Sequence, residues 1–233
     1  MEIIDIPGTG QKIYRDDKGF NFGIDAILLS SFAKMKRGKN LIDIGTGSGI
    51  LSLRCKAMYS LSRVVALEIQ EDVAKRAEKS FRLNGENIEL IHGNMTDYME
   101  EFRDFDYIIS NPPYLKKDDT IYGISQEQRI SRCEIHMNSL DLFRFSKKSL
   151  KNNGILYLIH RPHRLPELIV QGKEQGLILK RMKMVHSKLN QGAKMVLLEF
   201  VKNAKEHLTI ESPLIIYDNG HYTKEVLQYY GKV

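Results

Sequence analysis

The sequence Leu41-Ile42-Asp43-Ile44-Gly45-Thr46-Gly47-Ser48-Gly49-Ile50 decides the fold. Its apolar start predicts a buried strand, and glycine at alternate positions predicts a tight loop that passes into a helix. Such a strand-to-helix turn is where open α/β sheets bind ligands, because glycine lets a ligand approach the backbone closely. The spacing is G-x-G-x-G, which differs from the G-x-G-x-x-G of dinucleotide sites. Taken alone, the loop is equally consistent with a glycine turn that only packs.

Apolar runs and helical spacing alternate through the first 160 residues. Five runs rich in Ile, Val and Leu occur, at 41–44, 64–67, 88–91, 107–109 and 155–159. Helical spacing lies between most of them, as at 50–58 and 73–83. This alternation predicts an α/β fold, in which parallel strands are covered by helices on both faces.

Two later stretches predict a different end to the sheet. Residues 177–185 and 195–201 are strand-like, and only residues 187–193 join them. A parallel crossover needs a longer connection, so these strands are expected to form an antiparallel pair at the sheet edge.

Short additions flank the core on both sides. Before it, Lys12–Tyr14 and Phe20–Phe22 predict a small hairpin, followed by a helix over about 25–34. After it, residues 214–217 predict a strand, Asp218-Asn219-Gly220 a tight turn, and 223–230 a helix with Thr223 as N-cap. We expect one domain, with the hairpin and helix in 1–38, the core sheet in 39–203 and the last strand and helix in 204–233.

Composition limits the class of protein. In the 233 residues, 42% are hydrophobic and 27% charged, as is typical of water-soluble globular domains. Apolar runs long enough to cross a bilayer and a basic secretory n-region are both lacking, which favours the cytoplasm. Cys55 and Cys133 stand too far apart in sequence for a CxxC site and predict no disulfide framework.

Positive charge is concentrated in the C-terminal half. The chain carries a net charge of +6, and residues 145–205 hold thirteen basic and three acidic side chains. A polyanionic partner suits this balance. The segment Lys180–Met184 alternates basic and apolar residues, which fits either a protected edge strand or a contact with the backbone of a polyanionic partner.

Two further strand ends carry polar groups suited to a cofactor and a substrate. Glu68 ends the second core strand, 19 residues beyond Gly49, and matches the acidic residue that binds ribose hydroxyls in such sheets. A nucleoside-bearing cofactor is therefore predicted.

The fourth core strand runs into Asn111-Pro112-Pro113-Tyr114. Two prolines hold this loop rigidly, so the Asn111 side-chain oxygen and the Pro112 carbonyl are fixed acceptors for the two hydrogens of a planar amine. Tyr114 is expected to stack on the aromatic ring that carries this amine. Alignment alone supplies about 7–11 kcal/mol of barrier reduction, so no general base is required.

These motifs together resemble class I S-adenosylmethionine-dependent methyltransferases that act on a planar amine or amide nitrogen. From about residue 10 to residue 231, the chain is similar more narrowly to the bacterial tRNA1(Val) adenine-37 N6-methyltransferase family. The segments that carry the narrower similarity are Phe22–Leu29, Arg161–Leu165, Pro213–Tyr217 and Tyr222–Glu225. The resemblance implies a Rossmann-like, doubly wound sheet of seven strands, mostly parallel, with an antiparallel edge strand.

The resemblance also implies a cofactor, S-adenosylmethionine, and a partner, a valine tRNA, with no metal and no membrane. Its implied cofactor-binding residues are Asp25, Asp43, Gly45, Thr46, Gly47, Gly49, Glu68 and Asn94. Gly45 and Gly47 would approach the methionine part, with Asp25 near its end and Glu68 on the ribose. Asn94 stands where relatives usually carry an aspartate that binds the adenine amine, and an asparagine oxygen still offers an acceptor.

The implied substrate side lies on two loops. Asn111, Pro112 and Tyr114 would be catalytic, while Pro113, Arg161 and Arg164 would bind the substrate, the two arginines through phosphates. Family members often carry Arg-His-Glu after the Asn-Pro-Pro-Tyr loop, whereas this chain has Arg132-Cys133-Glu134. His160 and His163 are read as part of a basic loop because ligands at metal spacing are lacking, and the tyrosines of the tail are read as packing groups.

Several alternatives remain open at this point. Glutamine methylation of a release factor would use a similar NH₂ group, but those enzymes carry a long helical N-terminal domain and only about 40 residues precede the first core strand. Adenine in rRNA or DNA is another target, although no segment is large enough for a separate base-reading domain. A non-catalytic RNA-binding protein on this fold is the alternative from another class, and the glycine spacing disfavours a nicotinamide dehydrogenase.

Overall fold

The computed structural model describes residues 2–15, 23–112 and 138–232. The strands are β1 Glu2–Asp5, β2 Lys12–Arg15, β3 Asn40–Ile44, β4 Arg63–Glu68, β5 Glu89–His92, β6 Phe105–Ser110, β7 Leu150–His160, β8 Leu177–His186, β9 Ala193–Lys202, β10 Thr209–Ile210, β11 Leu214–Ile215, β12 Tyr217–Asp218 and β13 His221–Tyr222. The helices are α1 Ile24–Phe32, α2 Ile50–Tyr59, α3 Glu71–Leu83, α4 Ser139–Ser149, α5 Leu165–Glu174 and α6 Lys224–Tyr229. Short 3₁₀ helices follow β5 and β7, at Met95–Tyr98 and Pro162–Arg164.

One large sheet organises the chain, in the order β10-β8-β9-β7-β6-β3-β4-β5. Strands β3 to β7 pair in parallel, and β9 runs antiparallel to both of its neighbours, β7 and β8. The predicted α/β class, the parallel core and the antiparallel pair are therefore confirmed. Strand β9 lies between β7 and β8. The other edge of β8 pairs with the two-residue strands β10 and β11.

Neighbouring residues on the core strands face two separate cores. In β3, Leu41 belongs to one buried cluster and Ile42 to the other; in β4, Ala66 and Leu67 divide in the same way. Helices α1, α2 and α3 supply residues to the first cluster, whereas α4 and α5 supply the second. Because side chains alternate across a strand, these nearly continuous apolar runs bury both faces, which is the doubly wound arrangement.

Strand β2 pairs with an N-terminal strand that the sequence did not predict. Strand β2 pairs antiparallel with β1, and Phe20–Phe22, the expected partner, lies outside the described residues. The backbone of β2 also reaches α3, since Lys12 N donates to Asn84 Oδ1 at 2.8 Å and Tyr14 N to Ser80 Oγ at 3.1 Å. β1 gave little signal because it is only four residues long and largely exposed.

The tail forms the predicted strand, turn and helix. Asn219 and Gly220 take φ values of +46° and +82°, which suits the two-residue turn between β12 and β13. Thr223 precedes α6, but its hydroxyl donates to the Ile215 carbonyl at 2.7 Å and makes no side-chain capping bond. Thr223 is therefore the N-cap residue of α6, as predicted, while its hydroxyl ties the start of the helix to β11.

A buried arginine connects distant parts of the chain. Arg54 of α2 is 1% exposed and donates to Ser30 Oγ at 2.7 Å and Ser31 Oγ at 3.1 Å in α1. Its guanidinium also donates to the carbonyls of Pro7 and Tyr229. Burial lowers the pKa of Arg54. The N-terminal segment, α1, α2 and α6 therefore meet at one side chain.

The helices found within the three described ranges are each too short or too polar to cross a membrane.

Candidate active site at the carboxyl edge of the sheet

The ends of five parallel strands meet at one edge of the sheet. Ile44 of β3 pairs with Ser110 of β6, and Glu68 of β4 pairs with His92 of β5. Ser110 also donates its hydroxyl to the Ile44 carbonyl at 2.8 Å. The loops that follow these strands are therefore neighbours, and they carry nearly all the residues singled out in the sequence.

The glycine loop needs its glycines for different reasons. Gly45, Gly47 and Gly49 all have positive φ, at +69°, +58° and +92°, where other residues are strained. A Cβ on Gly49 would lie 2.5 Å from Cε1 of Phe81, so this position is closed by α3. A Cβ on Gly47 would meet nothing within 4 Å. Gly47 therefore faces open space at the mouth of the loop.

Asp43 stabilises the glycine loop through buried hydrogen bonds. Its Oδ2 accepts from Thr46 Oγ1 at 2.6 Å, Ser52 Oγ at 2.7 Å and Ser52 N at 3.0 Å. Asp43 is fully buried, and burial raises its pKa to about 6 despite these hydrogen bonds. Its Oδ1 has no hydrogen-bond partner among the described residues. Asp43 and Thr46 thus hold the loop in shape, with almost no surface of their own to offer a ligand.

Glu68 links the glycine loop to the next loop along the edge. One carboxylate oxygen accepts from Gly47 N at 2.9 Å, and the other accepts from Gln70 N at 3.0 Å. Burial raises the pKa of Glu68, and the backbone N–H groups act against that rise. The structure therefore brings Gly47 and Glu68, two of the residues expected to bind the cofactor, into direct contact.

Asn94 lies beside this pair, on the loop after β5. Gly93 N donates to the Glu68 carbonyl at 3.0 Å, which fixes the start of that loop. The Asn94 side-chain oxygen accepts from Thr96 N at 3.1 Å and so caps the 3₁₀ helix. The Asn94 side chain can therefore offer a ligand the second lone pair of its oxygen, as an acceptor, and its NH₂ group, as a donor.

Asp25 stands in the first turn of α1. The other end of α1 packs against the end of α2, because Tyr59 Oη donates to the carbonyls of Ser30 and Ala33. Helix α2 begins at the glycine loop and ends at Tyr59, and α1 packs along it. These contacts fix the last turn of α1 against α2, and Asp25 lies at the opposite end of α1.

Asn111 and Pro112 follow β6 directly, next to the glycine loop on β3. Pro112 lines a small pocket, whose other walls are Asn138, Ser139, Leu142, Leu158, His160 and Leu168. Burial and the nearby Arg164 lower the pKa of His160 to about 3, so this imidazole is neutral at physiological pH. Pro113, Tyr114 and Arg132-Cys133-Glu134 lie outside the described residues.

Both arginines of the basic loop after β7 make contacts within the protein. Arg164 is 4% exposed, and its guanidinium binds Glu167 through Nε at 2.8 Å and Nη2 at 3.1 Å. This burial and pairing leave Arg164 little surface for a ligand, and its phosphate contact stays a prediction. Arg161 is half-buried and donates to the Lys194 carbonyl at 3.0 Å.

The basic residues of β8 are also paired inside the fold. Arg181 binds Glu199 at 2.6 Å and Glu211 at 3.1 Å, and its guanidinium lies 3.8 Å from the ring centroid of Phe32. Lys183 pairs with Glu225. The reading of this strand as a tRNA-backbone contact therefore fails at its two central cations.

Two contributors were missed in the sequence. Ser52 gives two of the three hydrogen bonds to Asp43, and Arg54 ties α1 to the helix after the glycine loop. Polar residues at alternate positions of an otherwise apolar helix start were the available signal. Groups of three His, Cys, Asp or Glu side chains that would suit a metal do not occur in the described ranges.

Comparison with known proteins gives a consistent result. A family model described as "Methyltransferase small domain" matches residues 21–172. A protein of Flavobacterium johnsoniae named tRNA1(Val) (adenine(37)-N6)-methyltransferase is 27% identical over 220 residues, which cover 92% of each chain.

Solved structures share the fold. A predicted O-methyltransferase from Agrobacterium tumefaciens has a TM-score of 0.70 at 23% identity, over 89% of this chain and 96% of that one. A methyltransferase solved in complex with SAH has a TM-score of 0.63 at 12% identity, over 86% of this chain and 55% of that one.

Proposed function

The chain belongs to the methyltransferase small domain family, and we propose that it transfers a methyl group from S-adenosylmethionine to the exocyclic amine of an adenosine in tRNA. The observation that carries the proposal is the position of Asn111. It follows β6 directly, and β6 pairs with β3, whose end is the glycine loop. An amine-binding side chain and a cofactor loop are thus adjacent at one edge.

The residues at the glycine loop fit this cofactor. Gly47 borders open space where a side chain would intrude, and the Glu68 carboxylate lies against it. A carboxylate at the end of the second core strand suits the two ribose hydroxyls, since it accepts two hydrogen bonds. Asp43 and Thr46 hold the loop, Gly45 and Gly49 shape it, and Asn94 and Asp25 would serve the adenine and methionine ends.

Bound S-adenosylmethionine supplies an electrophilic methyl group on a positively charged sulfur. Asn111 and the Pro112 carbonyl would accept the two hydrogens of the adenine amine and direct its lone pair at that methyl. The amine nitrogen would take that methyl group, the demethylated cofactor would be the leaving group, and the nitrogen would then lose one of its two hydrogens as a proton to solvent. We propose Tyr114 and Pro113 as the groups that hold the base.

The substrate class is proposed from the relatives and the charge. The Flavobacterium johnsoniae relative is named for adenine-37 of a valine tRNA, and the net charge of +6 suits a polyanion. A loop adenosine is turned into a pocket more cheaply than a paired one. We therefore propose adenosine-37 of a valine tRNA, methylated in the cytoplasm by a single-domain enzyme.

The test is incubation of the protein with labelled S-adenosylmethionine and tRNA from cells that lack the gene, followed by nucleoside mass spectrometry of the valine isoacceptor. We expect N6-methyladenosine in the wild-type reaction. Asn111→Ala should lower turnover at least about 100-fold, because its contacts are made to the reacting amine. Cofactor affinity, measured by calorimetry, should stay within a few-fold.

Two results would contradict the proposal. Efficient methylation of a release-factor peptide without methylation of tRNA would assign the other planar NH₂ substrate. Loss of cofactor affinity in Asn111→Ala, as large as the loss of turnover, would remove Asn111 from the amine site.

A further inference from the structure

Part of the exposed positive charge that no ion pair neutralises lies at the carboxyl edge of the sheet. Lys188, Lys194 and Lys224 are exposed, and none forms an ion pair with another residue in the described ranges. By contrast, Arg164, Arg181 and Lys183 are neutralised by carboxylates. Two other exposed lysines, Lys147 and Lys205, belong to the opposite edge, just before β7 and just after β9.

Two loops bring those three lysines together. The loop from β8 to β9 carries Lys188 and leads into Lys194 at the start of β9. It is joined to the tail, because Ile216 N donates to the His186 carbonyl and Tyr217 N to the Ser187 carbonyl, each at 2.9 Å. Residues 187–194 and 217–224 therefore form one continuous surface, which we term the basic-aromatic surface.

An exposed aromatic stack lies on this surface. Tyr217 and Tyr222 stack with ring centroids 5.2 Å apart and planes at 21°, and Tyr230 lies 5.3 Å behind Tyr222. Tyr222 and Tyr230 pack against the core. Tyr217 is the outermost ring and is 38% exposed. The turn at Asn219 and Gly220 closes the short hairpin that carries Tyr217. The Tyr217 side chain should therefore lose little conformational entropy when a ligand binds.

The surface adjoins the candidate active site. Arg161 follows β7, next to the Asn111 loop, and its guanidinium binds the carbonyl of Lys194. From the end of β6 to the end of β8 the edge crosses three strand spacings, or roughly 14 Å. A single strand of a few nucleotides covers that distance. One carboxylate, Asp218, lies within the hairpin and leaves the surface positive overall.

We propose that the basic-aromatic surface docks the unpaired loop of the RNA substrate, with Tyr217 stacking on a base and Lys188 and Lys194 binding phosphates. Aromatic rings stack on any base, and lysines neutralise the backbone, which together recognise single-stranded RNA. The proposal rests on the proposed tRNA function and adds the place where the loop binds outside the reacting base.

The test measures RNA binding directly, by fluorescence anisotropy of labelled valine tRNA across a salt series. Lys188→Glu/Lys194→Glu should weaken binding at least about 10-fold near 0.1 M salt, and should reduce the salt slope by roughly 1.4 to 1.8 for two lost phosphate contacts. The matched control is Lys147→Glu/Lys205→Glu, which changes the net charge equally at the other edge and should leave the slope unchanged.

The ring is tested separately. Tyr217→Ala should weaken tRNA binding by roughly 5- to 150-fold, whereas Tyr217→Phe, which keeps the ring, should bind as the wild type does. A fully paired RNA duplex of the same length should be bound equally by all three proteins. Cofactor affinity should be unchanged in each variant, and methylation should show a raised KM for tRNA with kcat preserved.

The outcomes separate the two proposals. If the wild type methylates tRNA and the surface variants bind it as tightly as the control does, the docking surface is refuted and the function stands. If tRNA binds through this surface but no methyl is transferred, the function is refuted and the surface stands. If no RNA binds, both are overturned.

Discussion

Replacing Asp43 by Asn should remove a pH dependence of stability that the buried carboxylate creates. Asn has the same shape, and its amide oxygen can accept from Thr46 and Ser52 as the Asp43 Oδ2 does. Its NH₂ group would occupy the place of Oδ1, which lacks a hydrogen-bond partner among the described residues. The substitution therefore removes the charge with little change in packing.

The sign and size follow from the raised pKa. Burial moves the pKa of Asp43 from 3.8 to about 6. Between these values the unfolded chain has lost the proton while the folded chain keeps it, so the free energy of unfolding falls as pH rises through this window. At about 1.4 kcal/mol per pH unit, the total cost of holding the charge above pH 6 is about 3 kcal/mol. Below pH 3.8 both states are protonated and the cost disappears.

Urea unfolding at several values between pH 4 and pH 7.5 measures this effect. The stability of Asp43→Asn relative to the wild type should increase by about 2 kcal/mol from pH 4 to pH 7. Asp97→Asn, at an exposed carboxylate in the 3₁₀ helix, is the matched control and should run parallel to the wild type. If Asp43→Asn also ran parallel to the wild type, burial would not raise the pKa of Asp43, and the predicted loss of stability between pH 4 and pH 7 would be refuted.

Three further substitutions separate cofactor binding from stability. Gly49→Ala should lower the free energy of unfolding by about 2–5 kcal/mol, since its Cβ would lie 2.5 Å from Phe81 at a φ of +92°; urea unfolding within 0.5 kcal/mol of the wild type would show that the ring yields freely. Gly47→Val should instead cost little stability beyond the backbone strain of about 1–2 kcal/mol and should abolish S-adenosylmethionine binding in calorimetry, because its side chain would fill the open mouth of the loop; unimpaired affinity would mean that the cofactor lies elsewhere. Arg181→Ala should cost about 3–5 kcal/mol because it leaves Glu199, whose side chain is 15% exposed, without its partner. Adding Glu199→Gln should recover part of this loss, and no recovery would show that packing on Phe32 carries the effect.

The core strands and the glycine loop were predictable because their signals are local. Long buried runs such as β3 and β4 bury both faces, and alternate glycines mark a loop that needs positive φ. The short strands β1 and β10 were not predictable, since four and two residues carry no period. Their position is decided by pairing partners distant in sequence.

The side-chain roles were harder to predict than the fold. Arg164 and Glu167 are three residues apart at a helix start, so their pairing was readable, but the burial that makes it decisive depends on the packed sheet. Likewise the cations of β8 meet carboxylates on β9, in the tail and on α6, which composition alone does not reveal. Net charge thus predicts a polyanionic partner. It does not reveal which basic side chains stay exposed and unpaired, because that depends on the fold.

The buried guanidinium of Arg54 makes the folding of α2 depend on a segment that is synthesised much later. Its partner carbonyl on Tyr229 lies 175 residues further along the chain, which a ribosome takes roughly 10 to 35 s to produce. Throughout that interval the helix that follows the glycine loop has a cation lacking one of its acceptors. A nascent chain should therefore complete the hydrogen bonds of Arg54 only after α6 has been synthesised, and truncation before α6 should destabilise the contact between α1 and α2.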